Sequence, residues 1–208
     1  MTTNTLSLTR RLQEIVGEAG VITGADELLV FECDGYVVEK RMPDVVVFPT
    51  TAAEVQRIVR VCVEQQVPFV PRGAGTSLAG GTPPMGGGGM IFLTRVRQIL
   101  EINQGDRYAV VEPGLVNVHL TNALKGSGFH YAPDPSSQGA CTIGGNVATN
   151  SGGPHTLKYG VTVNHVLGVE FVSPQGELMR LGGPAEQLEG CDLTGLFVGN
   201  EGTFGVVT

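Results

Sequence analysis

The stretch 71–81, with the sequence PRGAGTSLAGG, follows a pattern of strand, helix and strand. The apolar run at 45–48 predicts a strand buried on both faces, and residues 67–70 predict a second strand. Between them, Thr51 and Glu54 have the spacing of a capping box, which opens a helix. A unit of this kind predicts two parallel strands, with the glycine-rich stretch leaving the end of the second.

Consecutive small residues in this stretch leave backbone N–H groups uncovered, and a concave run of such donors binds anions, a pyrophosphate above all. Thr76 and Ser77 add hydroxyl donors. A P-loop is excluded because the stretch has no lysine. A Rossmann fingerprint is disfavoured because Leu78 stands in place of the third glycine and no helical pattern follows. A plain glycine-rich turn remains the alternative for this stretch taken alone.

Glycine makes up 31 of the 208 residues and concentrates in three segments, 73–89, 139–153 and 199–205. The glycines are not periodic, which excludes a fibrous protein. Glycine lets the backbone approach another group closely. Three such segments in a chain that is 41% hydrophobic therefore predict a large ligand held by the main chain.

The formal net charge is −7, from 13 basic and 20 acidic residues, so the basic footprint of a nucleic-acid-binding protein is missing. No apolar run approaches the ~18 residues of a membrane span. Arg10 and Arg11 are not followed by the apolar core of an export signal. We expect a cytoplasmic protein, or one attached to the inner face of the membrane through partner subunits. The cysteines are expected to be ordinary reduced thiols. They are Cys33, Cys62, Cys141 and Cys191.

A second segment, 131–153, has the sequence YAPDPSSQGACTIGGNVATNSGG, and a third, 199–206, has the sequence GNEGTFGV. In the second, prolines stiffen the chain and glycines admit a planar ring close to the main chain. Its Ser, Thr and Asn residues offer neutral hydrogen bonds. This composition suits a polar heterocycle and not a metal ion, because no cluster of carboxylates or imidazoles accompanies it.

The rest of the chain predicts an α+β fold. A helix is expected at 8–19, ended by Gly20, and residues 21–44 are expected to be irregular. Further strands are expected at 90–93, 99–102, 108–112, 166–172, 178–181 and 204–207, and helices at 116–125 and 145–149.

Taken in order, the three glycine-rich segments resemble the FAD-binding domain of the vanillyl-alcohol oxidase type. More narrowly, PDPSSQ at 133–138 and LKYG at 157–160 resemble the FAD-binding subunit of bacterial glycolate oxidase and its D-lactate dehydrogenase relatives. The resemblance runs from residue 31 to residue 208. It implies an α+β fold in which two subdomains enclose FAD, a parallel βαβ unit at 1–95 and a mixed or antiparallel sheet at 96–208.

In these families the first segment wraps the pyrophosphate of FAD, the second lines the flavin and the ribityl chain, and the third adds further contacts. The resemblance therefore implies that the following residues bind the cofactor: Pro71, Arg72, Gly73, Ala74, Gly75, Thr76, Ser77, Pro133, Asp134, Ser137, Thr142, Gly144, Gly145, Ala148, Asn150, Ser151, Glu201, Gly205 and Val206. Members that attach FAD covalently often use a histidine in the first segment. Thr76 stands at that place here, so non-covalent FAD is implied.

The resemblance also implies a reaction, hydride transfer from the α carbon of a small 2-hydroxyacid, of glycolate or D-lactate type, to flavin N5. Family members continue into a second domain that supplies the substrate-binding residues and the base. This chain ends at Thr208 inside an expected strand, so no catalytic residue is assigned and the chain alone is expected to be inactive. Companion subunits of a glycolate oxidase complex are implied as partners.

Two alternatives remain open. One is an FAD-dependent reductase of cell-wall precursor synthesis, against which the PDPSSQ sequence argues; the other is a flavin-binding module without activity of its own. Among the histidines, His119, His130 and His165 are expected to be structural. His155 directly follows the second segment and is a candidate for the flavin or substrate side, with a structural turn as the alternative.

Overall fold

The computed structural model describes residues 3–185 and 190–208. Within these ranges the helices are α1 (Thr3–Val16), α2 (Ala25–Leu28), α3 (Ala52–Glu64), α4 (Asn117–Ala123), α5 (Ile143–Thr149), α6 (Thr156–Tyr159) and α7 (Leu193–Phe197). The strands are β1 (Val21–Ile22), β2 (Val45–Val47), β3 (Phe69–Arg72), β4 (Gly89–Phe92), β5 (Ile99–Asn103), β6 (Tyr108–Val111), β7 (Gly168–Val172), β8 (Leu178–Gly182) and β9 (Val206–Val207).

Four strands form a mixed sheet in the order β1-β2-β4-β3, in which β2, β4 and β3 are parallel and β1 is antiparallel to β2. The predicted parallel relation of β2 and β3 is confirmed, although the two strands are not neighbours. Strand β4 lies between them, with Met90 paired to Val46 on one side and to Val70 on the other. Met90 is completely buried, as the central strand of a sheet covered on both faces requires.

Helix α3 connects β2 to β3 and begins at the predicted cap, where the Thr51 hydroxyl accepts a hydrogen bond from the Glu54 amide at 3.2 Å. The spacing of its apolar residues predicts a buried stripe of Val55, Ile58, Val59, Cys62 and Val63. The first four are buried, but Val63 is exposed and Val61 is buried instead. Helix α1 packs beside α3, and this second contact shifts the buried face of α3 toward Val61.

Two expectations for the N-terminal region are wrong. Helix α1 ends at Val16 and not near Gly20, because Gly17 adopts a φ of 80°, which glycine takes without steric strain. Residues 21–44 are not irregular throughout, since β1 adds an antiparallel strand to the first sheet and α2 follows it. A strand of two residues is too short to show the alternation by which strands are predicted.

The rest of the chain forms a hairpin of β5 and β6 and an antiparallel sheet in the order β8-β7-β9. The strands expected at 166–172 and 178–181 are confirmed as β7 and β8, which pair as an antiparallel hairpin. The strand expected at 204–207 is reduced to the two residues of β9. A largely parallel first sheet and an antiparallel second sheet confirm the predicted α+β class.

One hydrophobic core joins the two parts of the molecule. It includes Leu12 of α1, Ile58 of α3 and Ile91 of β4, together with Val172 of β7 and Val206 of β9. The shared core places the loop after β3 opposite the turn that leads into β9. Across the described ranges, no helix is both long enough and apolar enough to cross a membrane.

Candidate functional site

An open cleft lies where the three glycine-rich segments meet, and the space in it and at its mouth, open solvent included, amounts to about 1010 Å³. The loop after β3 forms one wall. Helix α5 and the residues that flank it form a second wall, and the turn before β9 forms a third. Segments that are far apart in the sequence thus share one concave surface, which is the usual form of a cofactor site.

The loop after β3 supplies the donors of the first wall. The backbone N–H groups of residues 74–77 donate no hydrogen bond to any group in the described part of the chain. Gly75 adopts a φ of 71°, and its carbonyl accepts a hydrogen bond from the Gly35 amide at 2.9 Å. Four consecutive unpaired amides in the wall of a cleft are the donor set that an anion such as a pyrophosphate needs.

Arg72 carries the positive charge of this wall, yet its side chain is only 7% exposed. Burial lowers the pKa of the Arg72 guanidinium, and the negative charge of Asp34 opposes this shift. Because the pKa of an arginine ordinarily lies far above neutrality, the guanidinium stays charged at neutral pH. The first wall therefore combines unpaired amides with a buried cation.

A buried polar network holds the second wall. Helix α5 is capped by Thr142, whose hydroxyl accepts a hydrogen bond from the Gly145 amide at 3.3 Å. The Asn117 side-chain amide donates to Asn146 Oδ1 at 2.9 Å, and Asn146 Nδ2 donates to the Ser151 hydroxyl at 3.2 Å. Since buried polar groups bonded in this way have little freedom to move, Thr142 and Ser151 are presented to the cleft in fixed positions.

The third segment is attached to the last turn of α5. The amides of Gly199 and Glu201 donate hydrogen bonds to the carbonyls of Val147 and Ala148, both at 2.8 Å. Carbonyls at the end of a helix have no partner within the helix, so the third segment satisfies them. Glu201 has a φ of 53°, an uncommon conformation for a residue with a side chain, and it lines the cleft.

The structure brings most of the residues predicted to bind the cofactor into the lining of this cleft. They are Pro71, Arg72, Gly73, Ala74, Gly75, Thr76, Ser77, Ser137, Thr142, Gly144, Gly145, Ala148, Ser151, Glu201 and Gly205.

Four of the predicted residues lie outside the lining, and two of these are close to it. Val206 is buried in the core, and the next residue of β9, Val207, lines the cleft instead. Asn150 ends α5 with a φ of 47°, and its side-chain oxygen accepts a hydrogen bond from the Val163 amide at 2.9 Å. Both residues therefore support the walls from behind.

The other two are Pro133 and Asp134. The carbonyl of Pro133 accepts a hydrogen bond from Asn117 Nδ2 at 3.1 Å. The Asp134 carboxylate is hydrogen-bonded to Nδ1 of His155, and this hydrogen bond lowers the pKa of the Asp134 carboxyl. The His155 side chain is 66% exposed and lies against the ring of Tyr159, outside the cleft lining.

The lining also contains residues that the sequence did not predict. They are Gly81, Thr82, Leu93, Pro113, Cys141, Asn146, Thr149, Asn200, Gly202 and Val207. Most of them lie inside or next to the three glycine-rich segments, so taking each segment whole would have found them. Leu93 and Pro113 follow β4 and β6, and no sequence signal marks them.

The charge of the cleft is small. In its described lining, Arg72 and Glu201 are the charged side chains, and no histidine is present. No group of His, Cys, Asp and Glu residues within 3–185 and 190–208 is arranged to hold a metal ion. The cleft is suited to a large polar ligand that carries its negative charge at the loop after β3.

Comparison with known proteins supports a large polar ligand of this kind. A family model described as an FAD binding domain matches residues 43–182. The glycolate oxidase subunit GlcD of Bacillus subtilis is 46% identical over 181 residues, which cover 86% of this chain and 38% of that protein. The corresponding subunit of Escherichia coli K12 is 43% identical over 202 residues, which cover 97% of this chain and 40% of that protein.

A D-lactate dehydrogenase of Anaerostipes hadrus is 38% identical over 170 residues, which cover 81% of this chain and 36% of that protein. The chain thus spans about two fifths of the length of the curated relatives it matches, 40% in the E. coli subunit.

Solved structures share the fold. Alkyldihydroxyacetonephosphate synthase superposes with a TM-score of 0.85 at 22% identity, over 97% of this chain and 39% of that chain. p-Cresol methylhydroxylase superposes with a TM-score of 0.82 at 21% identity, over 100% of this chain and 42% of that chain. At these identities the likeness establishes the fold alone, which is the vanillyl-alcohol oxidase type expected from the sequence. The match of the family model to residues 43–182, more than half of the chain, shows that the chain belongs to the FAD binding domain family.

Proposed function

We propose that the chain is the FAD-binding portion of a flavin-dependent 2-hydroxyacid dehydrogenase or oxidase, of glycolate or D-lactate type. The observation that carries the proposal is the cleft, because its anion-binding loop belongs to a chain whose relatives are glycolate oxidase subunits and a D-lactate dehydrogenase. We further propose residues 1–95 and 96–208 as the two subdomains that enclose the cofactor.

The residues of the cleft fit FAD in three respects. The unpaired amides of residues 74–77 match a pyrophosphate. The hydroxyls of Thr142 and Ser151 and the backbone around α5 offer neutral hydrogen bonds to a flavin ring and its ribityl chain. The absence of a lining histidine within the described residues, with Thr76 in the first loop, favours non-covalent attachment.

When bound, FAD supplies the hydride-accepting N5 atom. The residues of this chain would bind and orient the cofactor. The first wall would hold its anionic part, and α5, tied down by the Asn117–Asn146 hydrogen bond, would offer its backbone and hydroxyl groups to the ring. In the described lining, Glu201 is the one carboxylate, and Arg72, the one cation, is buried. A 2-hydroxyacid needs a cation for its carboxylate and a base for its hydroxyl, so we propose that both come from outside this chain.

The first test is a titration of the purified chain with FAD, followed by acid precipitation. We expect saturable binding, with the flavin released into the supernatant. Flavin that stays in the protein pellet would show a covalent link, and a chain that binds no FAD would overturn the proposal.

The substrate class requires a second test. The aligned part of the E. coli glycolate oxidase subunit can be replaced by this chain, since the two are 43% identical over 202 residues. The chimera is expected to reduce a dye with glycolate or D-lactate, whereas the 208-residue chain saturated with FAD is expected to do neither. A chimera that binds FAD but oxidises no 2-hydroxyacid would show instead that the chain is the flavin-binding module of an enzyme that catalyses another reaction.

Companion subunits and a cytoplasmic location complete the proposal. The relatives from B. subtilis and E. coli are named as subunits of glycolate oxidase, which supports an assembly with other chains. Attachment to the inner face of a membrane would then come through such partners.

A further inference from the structure

Arg72 makes contacts that reach separate parts of the chain. Its Nη1 donates to the Cys33 carbonyl at 2.8 Å and to the Thr82 hydroxyl at 3.0 Å. Its guanidinium carbon lies 5.9 Å from the centroid of the Phe92 ring. Thr82 stands at the far end of the loop that Arg72 begins, and Cys33 lies ahead of β2. One side chain therefore spans the base of the loop and anchors it to residue 33.

The guanidinium also occupies the space beside Gly75. A Cβ atom added to Gly75 would overlap Nη2 of Arg72, so the loop folds around the guanidinium and leaves no room for a side chain there. The Gly75 carbonyl is bonded to the amide of Gly35, which belongs to the same segment as Cys33. The loop is thus fixed at both of its ends and in its middle.

Two of the three guanidinium nitrogens of Arg72 are unavailable to a ligand, and the third, Nη2, lies beside Gly75 inside the loop. Its Nε atom is inaccessible and has no hydrogen-bond partner among the described residues. Its Nη1 atom is already shared between two acceptors. The amides of residues 74–77, by contrast, remain unpaired. A loop with so few bonds of its own depends on outside anchors for a preorganised shape.

We propose that Arg72 is a positioning residue for the pyrophosphate of FAD. It holds the loop 73–82 in the shape in which the amides of 74–77 converge, and it acts on the ligand through the loop. The inference rests on the proposed function, because it takes FAD as the ligand of the cleft. It assigns to Arg72 a task different from the direct contact implied by the family resemblance.

The test compares three ligands that differ in their pyrophosphate. FAD and ADP contain one, and riboflavin does not. The affinity of each is measured for the 208-residue chain and for Arg72→Met, Arg72→Lys and Arg95→Met. Arg95 is a matched control, because its guanidinium also lies over an aromatic ring, 5.0 Å from the centroid of Phe48, but it is exposed and outside the cleft lining.

We expect Arg72→Met to weaken the binding of FAD and of ADP roughly tenfold, because the loop loses its preorganised shape. The affinity for riboflavin should be unchanged. Arg72→Lys should fail to restore binding, because an ammonium cannot reproduce the planar two-acceptor contact. The dependence of FAD affinity on ionic strength should stay the same in Arg72→Met, since a buried guanidinium held away from the ligand contributes no screened attraction.

Several results would overturn the inference. Wild-type affinity in Arg72→Met would show that the loop keeps its shape without the guanidinium. Restoration by Arg72→Lys, or a weaker salt dependence in Arg72→Met, would show direct contact with the phosphates. Equal losses for all three ligands would show a general structural role. If the unsubstituted chain binds neither FAD nor ADP, the proposed function itself fails and this inference falls with it.

Thr82→Val provides a second variant in case Arg72→Met does not fold. It removes one of the two acceptors of Nη1 while preserving the shape of the side chain. We expect weaker binding of FAD and ADP with riboflavin unaffected. Unchanged affinity for FAD and ADP in Thr82→Val would contradict an action of Arg72 through the loop.

Discussion

The side-chain amide of Asn117 donates a hydrogen bond to the side-chain oxygen of Asn146 at 2.9 Å, and each residue is only 1% exposed. The same amide also donates to the carbonyl of Pro133 at 3.1 Å. One buried side chain thus ties helix α4 to helix α5 and to the segment that precedes it. The rigidity of the second wall depends on this contact.

Substitution Asn117→Leu should destabilise the protein by about 2 kcal/mol, because it leaves the oxygens of Asn146 and Pro133 buried without this donor. Urea unfolding in the absence of ligand measures the change. Asn122→Leu is the control, since Asn122 lies exposed on the same helix and should change stability by less than ~0.5 kcal/mol. Equal effects of the two substitutions would contradict a stabilising network.

Gly75 and Arg72 should be energetically coupled. Gly75→Ala places a Cβ against Nη2 of Arg72 and forces a φ of 71° on alanine, so FAD binding should weaken. In an Arg72→Ala background the overlap is gone, and the same substitution should cost about 1 kcal/mol less in binding free energy. Fluorescence titrations of the unsubstituted protein, the two single variants and the double variant complete the cycle. If the losses of binding free energy in the two single variants simply add up in the double variant, the overlap at Gly75 does not contribute to the loss of binding.

The hydrogen bond between Asp134 and His155 predicts a dependence of stability on pH. The hydrogen bond from His155 lowers the pKa of the Asp134 carboxyl from its ordinary value of 3.8. A carboxyl with a lower pKa in the folded state stabilises the fold above its unfolded pKa, and that contribution is lost as pH falls through the folded pKa.

The melting temperature of Asp134→Asn should therefore lie below that of the unsubstituted protein at neutral pH. The difference should begin to shrink near pH 3.8 and disappear once pH has fallen through the lower folded pKa. Asp26→Asn removes the same charge from an exposed position outside the described salt bridges, and it serves as the control. A difference that persists unchanged into strong acid would exclude the hydrogen bond to His155 as its source.

The thiols should react with an alkylating reagent in an order set by burial. Cys191 is exposed and should react first, whereas burial raises the pKa of Cys62 to about 11 and should protect it until the protein unfolds. Cys141 is buried in the cleft lining, so it should react slowly, and saturating FAD should slow its reaction further. Mass spectrometry after timed labelling gives the order. Early labelling of Cys62 would contradict the packing of α3.

Features of the fold and the site could be predicted from the sequence where they depend on residues that are close together in the chain. The capping residues Thr51 and Glu54 and the apolar run at β2 act within a few neighbours, so they located the first strand and helix. The glycine-rich segments located most of the cleft, because small residues in a row are uncommon outside backbone-lined sites. Local signals were sufficient wherever a structure is made by consecutive residues.

The features that the sequence did not reveal depend on distant contacts. The place of β4 between β2 and β3 is decided by packing across the sheet. Leu93 and Pro113 line the cleft because the fold brings two strand ends there, although neither lies in a distinctive sequence. The burial of Arg72 was likewise unseen, since its partners Cys33 and Thr82 have no pattern that links them.

The pairing of β9 with β7 holds the third wall of the cleft against the core. In the described structure, Phe171 pairs with Val207 and Val172 with Val206, and the Thr208 amide donates to the Glu170 carbonyl at 2.9 Å. Amide protons in such a ladder exchange with solvent when it opens locally. A ligand that touches all three walls would be bound by the closed form alone, so by mass action it would suppress this opening. The bound cofactor would then keep the third wall closed, and slower amide exchange in β9 would show that the cleft is occupied.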